Sequence, residues 1–233
     1  MVFLSKNNAV SYTGIGEEKK HFSRINDTFV IMKENFRYFL VHKPYGVLSQ
    51  FTRPLPQHRT LADVHDFPRD VYPVGRLDKD SEGLLILTND KSLNHRLLNP
   101  EFAHRRTYAA QLDGQITEEA LRQLRDGVTI KLGKSLYDTL PAETALLPEG
   151  IGLPERDPPV RYRMTVPTTW IELTLTEGKN RQVRRMCAKT GFPVLRLVRV
   201  SIENLRLDGL HSGEVREIQA KELYPLLRLQ REE

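Results

Sequence analysis

The stretch Gly75 to Thr88 reads GRLDKDSEGLLILT and sets Asp78, Asp80 and Glu82 at alternate positions before Gly83 and an apolar run. Carboxylates in that pattern suit three kinds of chemistry. A calcium loop takes acids at its first, third and fifth positions, then glycine, and closes on a bidentate glutamate at its twelfth. Counted from Asp78 the opening fits, but the closing position is Asn89, and Leu84 to Leu87 stand where a loop should continue. The essential ligand is missing and this reading fails. A divalent metal holding a nucleotide diphosphate could use Asp78 and Asp80. The chain has no glycine-rich phosphate loop and no P-loop lysine, and its 7 histidines are scattered. In the third reading Asp78 alone is a nucleophile. A carboxylate at the edge of a core strand is held rigidly, and an arginine partner keeps it ionised. Asp80 and Ser81 would then bond loop N–H groups, Glu82 would pair with a base, and Gly83 would permit a close turn. Solvated turn acids are the plain alternative.

The nucleophile reading needs a cation from elsewhere. Thr176 to Met186, TEGKNRQVRRM, places Arg181, Arg184 and Arg185 at helical spacings, with Val183, Met186 and Cys187 free to point inward. Arg184 at the rim of that face could reach a buried carboxylate, and Arg181 and Arg185 could meet phosphates. On spacing alone, a solvated basic face is as good an account. A second cluster stands at His104-Arg105-Arg106, and the net charge is +5. Arginine forks match phosphate geometry and stack on bases, so the pattern favours a nucleic-acid partner.

The elements that must hold these residues follow from the hydrophobic pattern. The 233 residues, 39% hydrophobic and 28% charged, are enough for one large domain or two small lobes. The longest apolar runs are far short of a membrane span, and the first residues lack the apolar core of a signal peptide. The single cysteine, Cys187, excludes an internal disulfide, argues for a reducing cytoplasm, and reads as a small buried side chain. Residues 1–35 are polar and weakly patterned and read as a partly disordered tail, ordered only where Phe29 to Met32 pack. From Phe36 strands alternate with short helices. Tyr38 to Val41, Leu84 to Leu87, Tyr108 to Leu112, Leu140 to Leu147, Trp170 to Thr176, Val194 to Val200 and Ile202 to Leu207 read as strands. Helices are expected after a Thr60 cap, after Asn89 or Asp90, over Thr117 to Arg125, from an Asn180 cap to Gly191, and over Ala220 to Leu227. Residues 150–159 read as a loop. Strand runs without a strict βαβ rhythm predict an α+β fold with a mixed, mostly antiparallel sheet.

The motif GRLDKDSEGLLILTND resembles the catalytic motif of pseudouridine synthases, in the branch holding the ribosomal small-subunit enzyme A and the large-subunit enzymes B, E and F. Lys43-Pro44-Tyr45-Gly46, Arg106-Thr107-Tyr108, and Glu177 to Met186 with Gly191 to Arg199 are similar to the accompanying motifs, in the same order. Ser49 to Thr52, Pro158 to Arg161 and Val166 to Trp170 fit the large-subunit enzyme E group. Residues 1–35 are too short for the S4 module common elsewhere in the branch. Arg106 stands where many relatives have lysine, and Val215 where an aromatic is common.

The resemblance implies a catalytic domain over 36–233, its sheet in two lobes flanked by helices around a central RNA-binding cleft. It implies isomerisation of one uridine of bacterial 23S rRNA, near the peptidyl-transferase centre, without cofactor or metal. The expected partner is 23S rRNA, free or in a pre-50S particle, with no DNA, no membrane and a monomeric chain. Asp78 would be the essential carboxylate, bonding covalently to the nucleoside or taking a proton in a glycal-type route. Tyr108 would stack on the base, and Arg184 would pair with Asp78. Arg76 would fill the hole left by the flipped base, and Leu197 would wall the pocket. Lys43, Arg181 and Arg185 would meet phosphates. The same enzyme class on 16S rRNA or a tRNA, or a catalytically silent RNA-binding or assembly factor, are the alternatives.

Overall fold

The computed structural model describes residues 3–4, 9–11, 21–25, 28–32, 35–148, 152–160 and 166–230, those before 33 as backbone only. Arg161, the end of one motif segment, lies outside the described residues. The chain divides into two compact units, Met1–Phe36 and Arg37–Glu233.

The first unit carries β1 (Phe3–Leu4), β2 (Ala9–Ser11), β3 (His21–Ile25) and β4 (Thr28–Met32), paired antiparallel in that order. This differs from the expected tail. Both segments flanking Asn26-Asp27 carry β-branched and aromatic residues, and such a pair of polar turn residues between them is a hairpin signal.

The second unit runs β5 (Tyr38–Lys43), β6 (Val47–Leu48), β7 (Arg59–Thr60), β8 (Tyr72–Pro73), β9 (Glu82–Thr88), α1 (Lys91–Leu98), β10 (Arg106–Asp113) and α2 (Glu118–Asp126). It continues through β11 (Thr129–Leu132), β12 (Ser135–Asp138), β13 (Glu143–Leu147), β14 (Thr168–Leu175), α3 (Gln182–Lys189), β15 (Val194–Ile202), β16 (Leu205–Arg206), β17 (Val215–Ile218) and α4 (Ala220–Leu226). One sheet is ordered β13-β14-β10-β15-β9-β5-β17, with β8 beside β9 and β16 beside β15. Every pair in it is antiparallel except β9 with β15, so the sheet is mixed and mostly antiparallel as expected. The two expected strands after Pro193 are one long strand, β15, and a short return, β16. They are joined by a turn in which Glu203 adopts a φ of 50°.

The β9 strand is buried at every residue, which is why its apolar run is continuous instead of alternating. It enters the sheet through Gly83. A Cβ there would lie 2.3 Å from the Arg199 carbonyl oxygen, and its φ is +108°. Only glycine lets the two parallel strands approach so closely. Two core clusters form on this sheet. One gathers Leu121, Leu124, Leu173 and Met186, the other Phe39, Leu61, Leu77 and Leu85, and Tyr108 packs against both.

Caps explain the helix starts. Asp90 accepts the Leu93 N–H at 3.0 Å at the head of α1, as the sequence predicts. The segment after Thr60 is one short 3₁₀ turn, Leu61–Asp63. The expected Asn180 cap of α3 is not there. Arg181 occupies the cap position with φ 53°, and the Gln182 side chain accepts the Lys179 N–H at 2.9 Å instead. Cys187 is fully buried on α3, and burial pushes its thiol up to about 12, so it is a packing residue.

Candidate active site

The three acids at the end of the β8–β9 loop and the start of β9 have three different environments. Glu82 opens β9 at 2% exposure and receives a bidentate fork from Arg196 of β15, both bonds at 2.9 Å. The expected base partner is therefore Arg196. Asp80 receives a second fork, from Arg181, with both bonds at 2.8 Å. That hydrogen bonding holds the Asp80 carboxyl below its ordinary value. Asp78 has no such grip. Its closest cation is Arg181 at 3.6 Å, and its side chain is one third exposed.

The backbone on either side of Asp78 is fixed all the same. Ser49, itself buried, donates its hydroxyl to the Leu77 carbonyl at 2.8 Å and accepts the Leu77 N–H at 3.0 Å. Gly46, in the turn after β5, donates its N–H to the Lys79 carbonyl at 2.8 Å. Ser81 donates its N–H to the Asp78 carbonyl at 3.0 Å. The loop presents one open carboxylate on an immobilised main chain.

That carboxylate borders a cleft of about 840 Å³, whose wall includes Arg76, Tyr108, Lys179, Arg181 and Leu197. Six cationic side chains line it against two carboxylates, Asp78 and Glu177. Glu177 is already engaged by the Tyr137 hydroxyl, the Leu140 N–H and the Gln182 amide. The cleft therefore has a positive field suited to a polyanion. Tyr108 and Leu197 stand on neighbouring strands, Tyr108 opposite Arg199 and Ala110 opposite Leu197. They share one face of the sheet and can flank a planar ring. Arg76 is exposed, and among the described residues its one side-chain tether is a 3.2 Å bond to the Gln50 amide oxygen.

Three expectations are corrected. Arg184 does not pair with Asp78. It is anchored by a 3.1 Å bond to the Val194 carbonyl, which directs its other nitrogens at Asp80: at the carbonyl, 2.5 Å, and the carboxylate, 3.4 Å. It acts as a clamp under the loop. Arg185 gives its donors to the Asn180 and Lys131 carbonyls at 3.0 and 2.6 Å, tying α3 to β11, and does not border the cleft. Lys43 is 0% exposed and binds the Pro44 and Val47 carbonyls at 2.8 and 2.7 Å, so no phosphate reaches it. The cleft face also carries Arg106 and Arg199. Alternation along a strand marks a charge as outward, so it gives no sign of a buried arginine.

Lys43 carries a pH prediction. Burial pulls its ammonium from 10.5 down to about 7, against the attraction of Glu82, Asp80 and Asp78. A neutral amine still donates to both carbonyls. Because the folded value lies below the unfolded one, the unfolded chain binds more protons between about pH 7 and 10.5. Stability therefore rises with pH across that window, by up to about 1.4 kcal/mol per unit. Urea unfolding at pH 7.5 and 9.5 checks this: wild type should gain on Lys43→Met, and an equal response in both would contradict it.

The family model for RNA pseudouridylate synthase matches residues 37–189. A ribosomal large subunit pseudouridine synthase E of Xanthomonas axonopodis pv. citri is 54% identical over 73% of this chain and 88% of its own length. The protein of the same name from Vibrio parahaemolyticus is 46% identical, over 80% and 75%. A ribosomal large subunit pseudouridine synthase B of Bacillus subtilis is 36% identical, over 83% of this chain and 72% of its own. A crystal structure of a pseudouridylate synthase superposes with a TM-score of 0.67 at 26% identity, covering 92% of this chain and 83% of that one.

Proposed function

Because the chain belongs to the RNA pseudouridylate synthase family, we propose that its cleft isomerises one uridine of 23S rRNA, near the peptidyl-transferase centre, with Asp78 as the essential carboxylate. One observation carries the assignment of Asp78: of the three loop acids it alone faces the cleft without a bidentate partner, on a backbone anchored before and after it. The enzyme class follows from the family, and the large-subunit target is supported by the names of the E relatives, 46–54% identical, and of the B relative, 36% identical, all of them large-subunit enzymes.

The reaction breaks the C1′–N1 bond of uridine and joins C1′ to C5. N1 gains a proton and C5 loses one, so the product is an isomer and no electrons are exchanged. A uridine in folded RNA must leave its stack to be reached. Arg76, exposed and weakly tethered, enters the vacated position. Tyr108 stacks on the flipped base and takes part in removing the C5 proton, while Leu197 closes the pocket opposite. Asp78 meets the ribose, either bonding to the nucleoside or taking a proton in a glycal-type route. Both routes need an ionised carboxylate, and the Arg181 guanidinium stands 3.6 Å from it. Arg184 and Arg181 act on Asp78 through Asp80, holding the loop that carries it. The chain acts as a monomer in the cytoplasm, on free rRNA or on a pre-50S particle.

Carbodiimide mapping of rRNA from a strain lacking the gene tests the target. One pseudouridine stop should vanish from 23S rRNA and return with the gene. Loss of a stop in 16S rRNA or a tRNA instead would move the target, and no change anywhere would leave a silent RNA-binding factor.

A further inference from the structure

Two guanidiniums on the cleft face have no part in the mechanism above. Tyr108 and Arg199 are directly opposed across β10 and β15, and Arg106 lies two residues before Tyr108; all three border the cleft. Arg199 is 4% exposed and donates Nε–H to the Leu84 carbonyl at 2.8 Å, while its Nη2 is buried with no acceptor. Among the described residues Arg106 donates to two carbonyls alone, those of His104 at 3.1 Å and Leu97 at 2.6 Å. Among the described residues neither has a carboxylate within 4.0 Å. The acid nearest in influence, Glu203, is occupied by the Arg105 N–H at 2.8 Å and His104 at 3.1 Å. Burial, with Arg199 adding repulsion, pulls Arg106 below its ordinary value.

Two cations held only by neutral carbonyls are an unbalanced arrangement. Buried charges are ordinarily paired, because the desolvation cost is otherwise uncompensated. Contrast Arg196, on the same strand as Arg199 and as deeply buried, but matched by Glu82. The missing anion must arrive from the cleft, beside the side chain that flanks the flipped base. We propose that Arg106 and Arg199 bind a backbone phosphate of the rRNA adjoining the target uridine. Both guanidiniums border the cleft with part of their donors committed to carbonyls, so each offers a phosphate oxygen a single charge-assisted bond, and the positive cleft draws the strand in. This subsite rests on the reading of the cleft as the uridine-isomerising site.

The test is a cycle between protein and RNA. An rRNA fragment holding the mapped uridine is made with a neutral methylphosphonate replacing, in turn, each phosphate beside it. With wild-type protein, one replacement should raise KM about ten-fold or more. In Arg199→Gln or Arg106→Gln the same replacement should cost little further, and the salt slope of binding should be shallower by about 0.7 for the lost contact. Arg199→Lys and Arg106→Lys keep the charge where truncation disturbs folding, and the replacement should cost less in them than in wild type. A penalty of full size in the variants, or no penalty at any position in wild type, would overturn the subsite and leave both arginines structural. Failure of wild type on the unmodified fragment would strike the reading of the cleft itself, a separately visible result.

Discussion

Asp78→Asn is expected to leave a folded protein that binds its RNA and forms no pseudouridine. The side chain is one third exposed and its nearest ion partner is 3.6 Å away, so little folding energy rides on it. Stability should change by no more than about 0.5 kcal/mol. The amide is nearly isosteric but is neither a nucleophile nor a base. Turnover should fall on the order of 10⁴-fold or more. RNA affinity should hold or improve slightly, because a negative charge leaves a cleft built for a polyanion. Retained turnover with intact folding would remove Asp78 from the chemistry. Asp80→Asn serves as the contrast. It weakens the Arg181 fork and the 3.4 Å Arg184 contact while the Arg184 bond to the Asp80 main-chain carbonyl remains, so it should lower activity through loop placement without the same complete loss.

The second large effect belongs to Glu82 and Arg196. Their side chains are 3% and 6% exposed and share two 2.9 Å bonds, one strand position from the loop that carries Asp78. Removing one partner leaves a buried charge unmatched, which costs roughly 3–5 kcal/mol. Glu82→Leu and Arg196→Met should each lower the urea midpoint steeply and reduce activity through loss of the folded state. The double variant should recover much of the loss, since an apolar pair of similar volume is often tolerated at such sites. A double variant as unstable as the two single effects added together would show that the pair is not acting as a unit.

Much of this was legible before any coordinates. The run Leu84 to Leu87 announced a fully buried strand, and the spacing of Val183, Met186 and Cys187 announced the buried side of α3. The motifs placed Asp78, Tyr108 and Leu197 in one cleft, and the structure brings them together. What escaped the reading was pairing. Helical spacing puts Arg181 and Arg184 on one face but does not say which acid each will meet. Arg181 reaches both Asp78 and Asp80, while Arg184, anchored at Val194, reaches only Asp80. Lys43, Arg196 and Arg199 escaped for a related reason. Charged residues in strands are read as solvent-facing, and only tertiary contacts reveal carbonyls or a carboxylate waiting inside. The hairpin β11–β12 was missed because its strands are only four residues each, and the alternation of β11 is too short to stand out.

The most direct test of the central claim is release of C5-bound tritium from a 23S rRNA transcript labelled with [5-³H]uridine, treated with the purified chain in EDTA. Isomerisation at one uridine predicts release that levels off at about one equivalent per transcript, absent with Asp78→Asn and absent from 16S rRNA. No release from 23S rRNA by a folded wild-type protein, or full release by Asp78→Asn, would contradict the account.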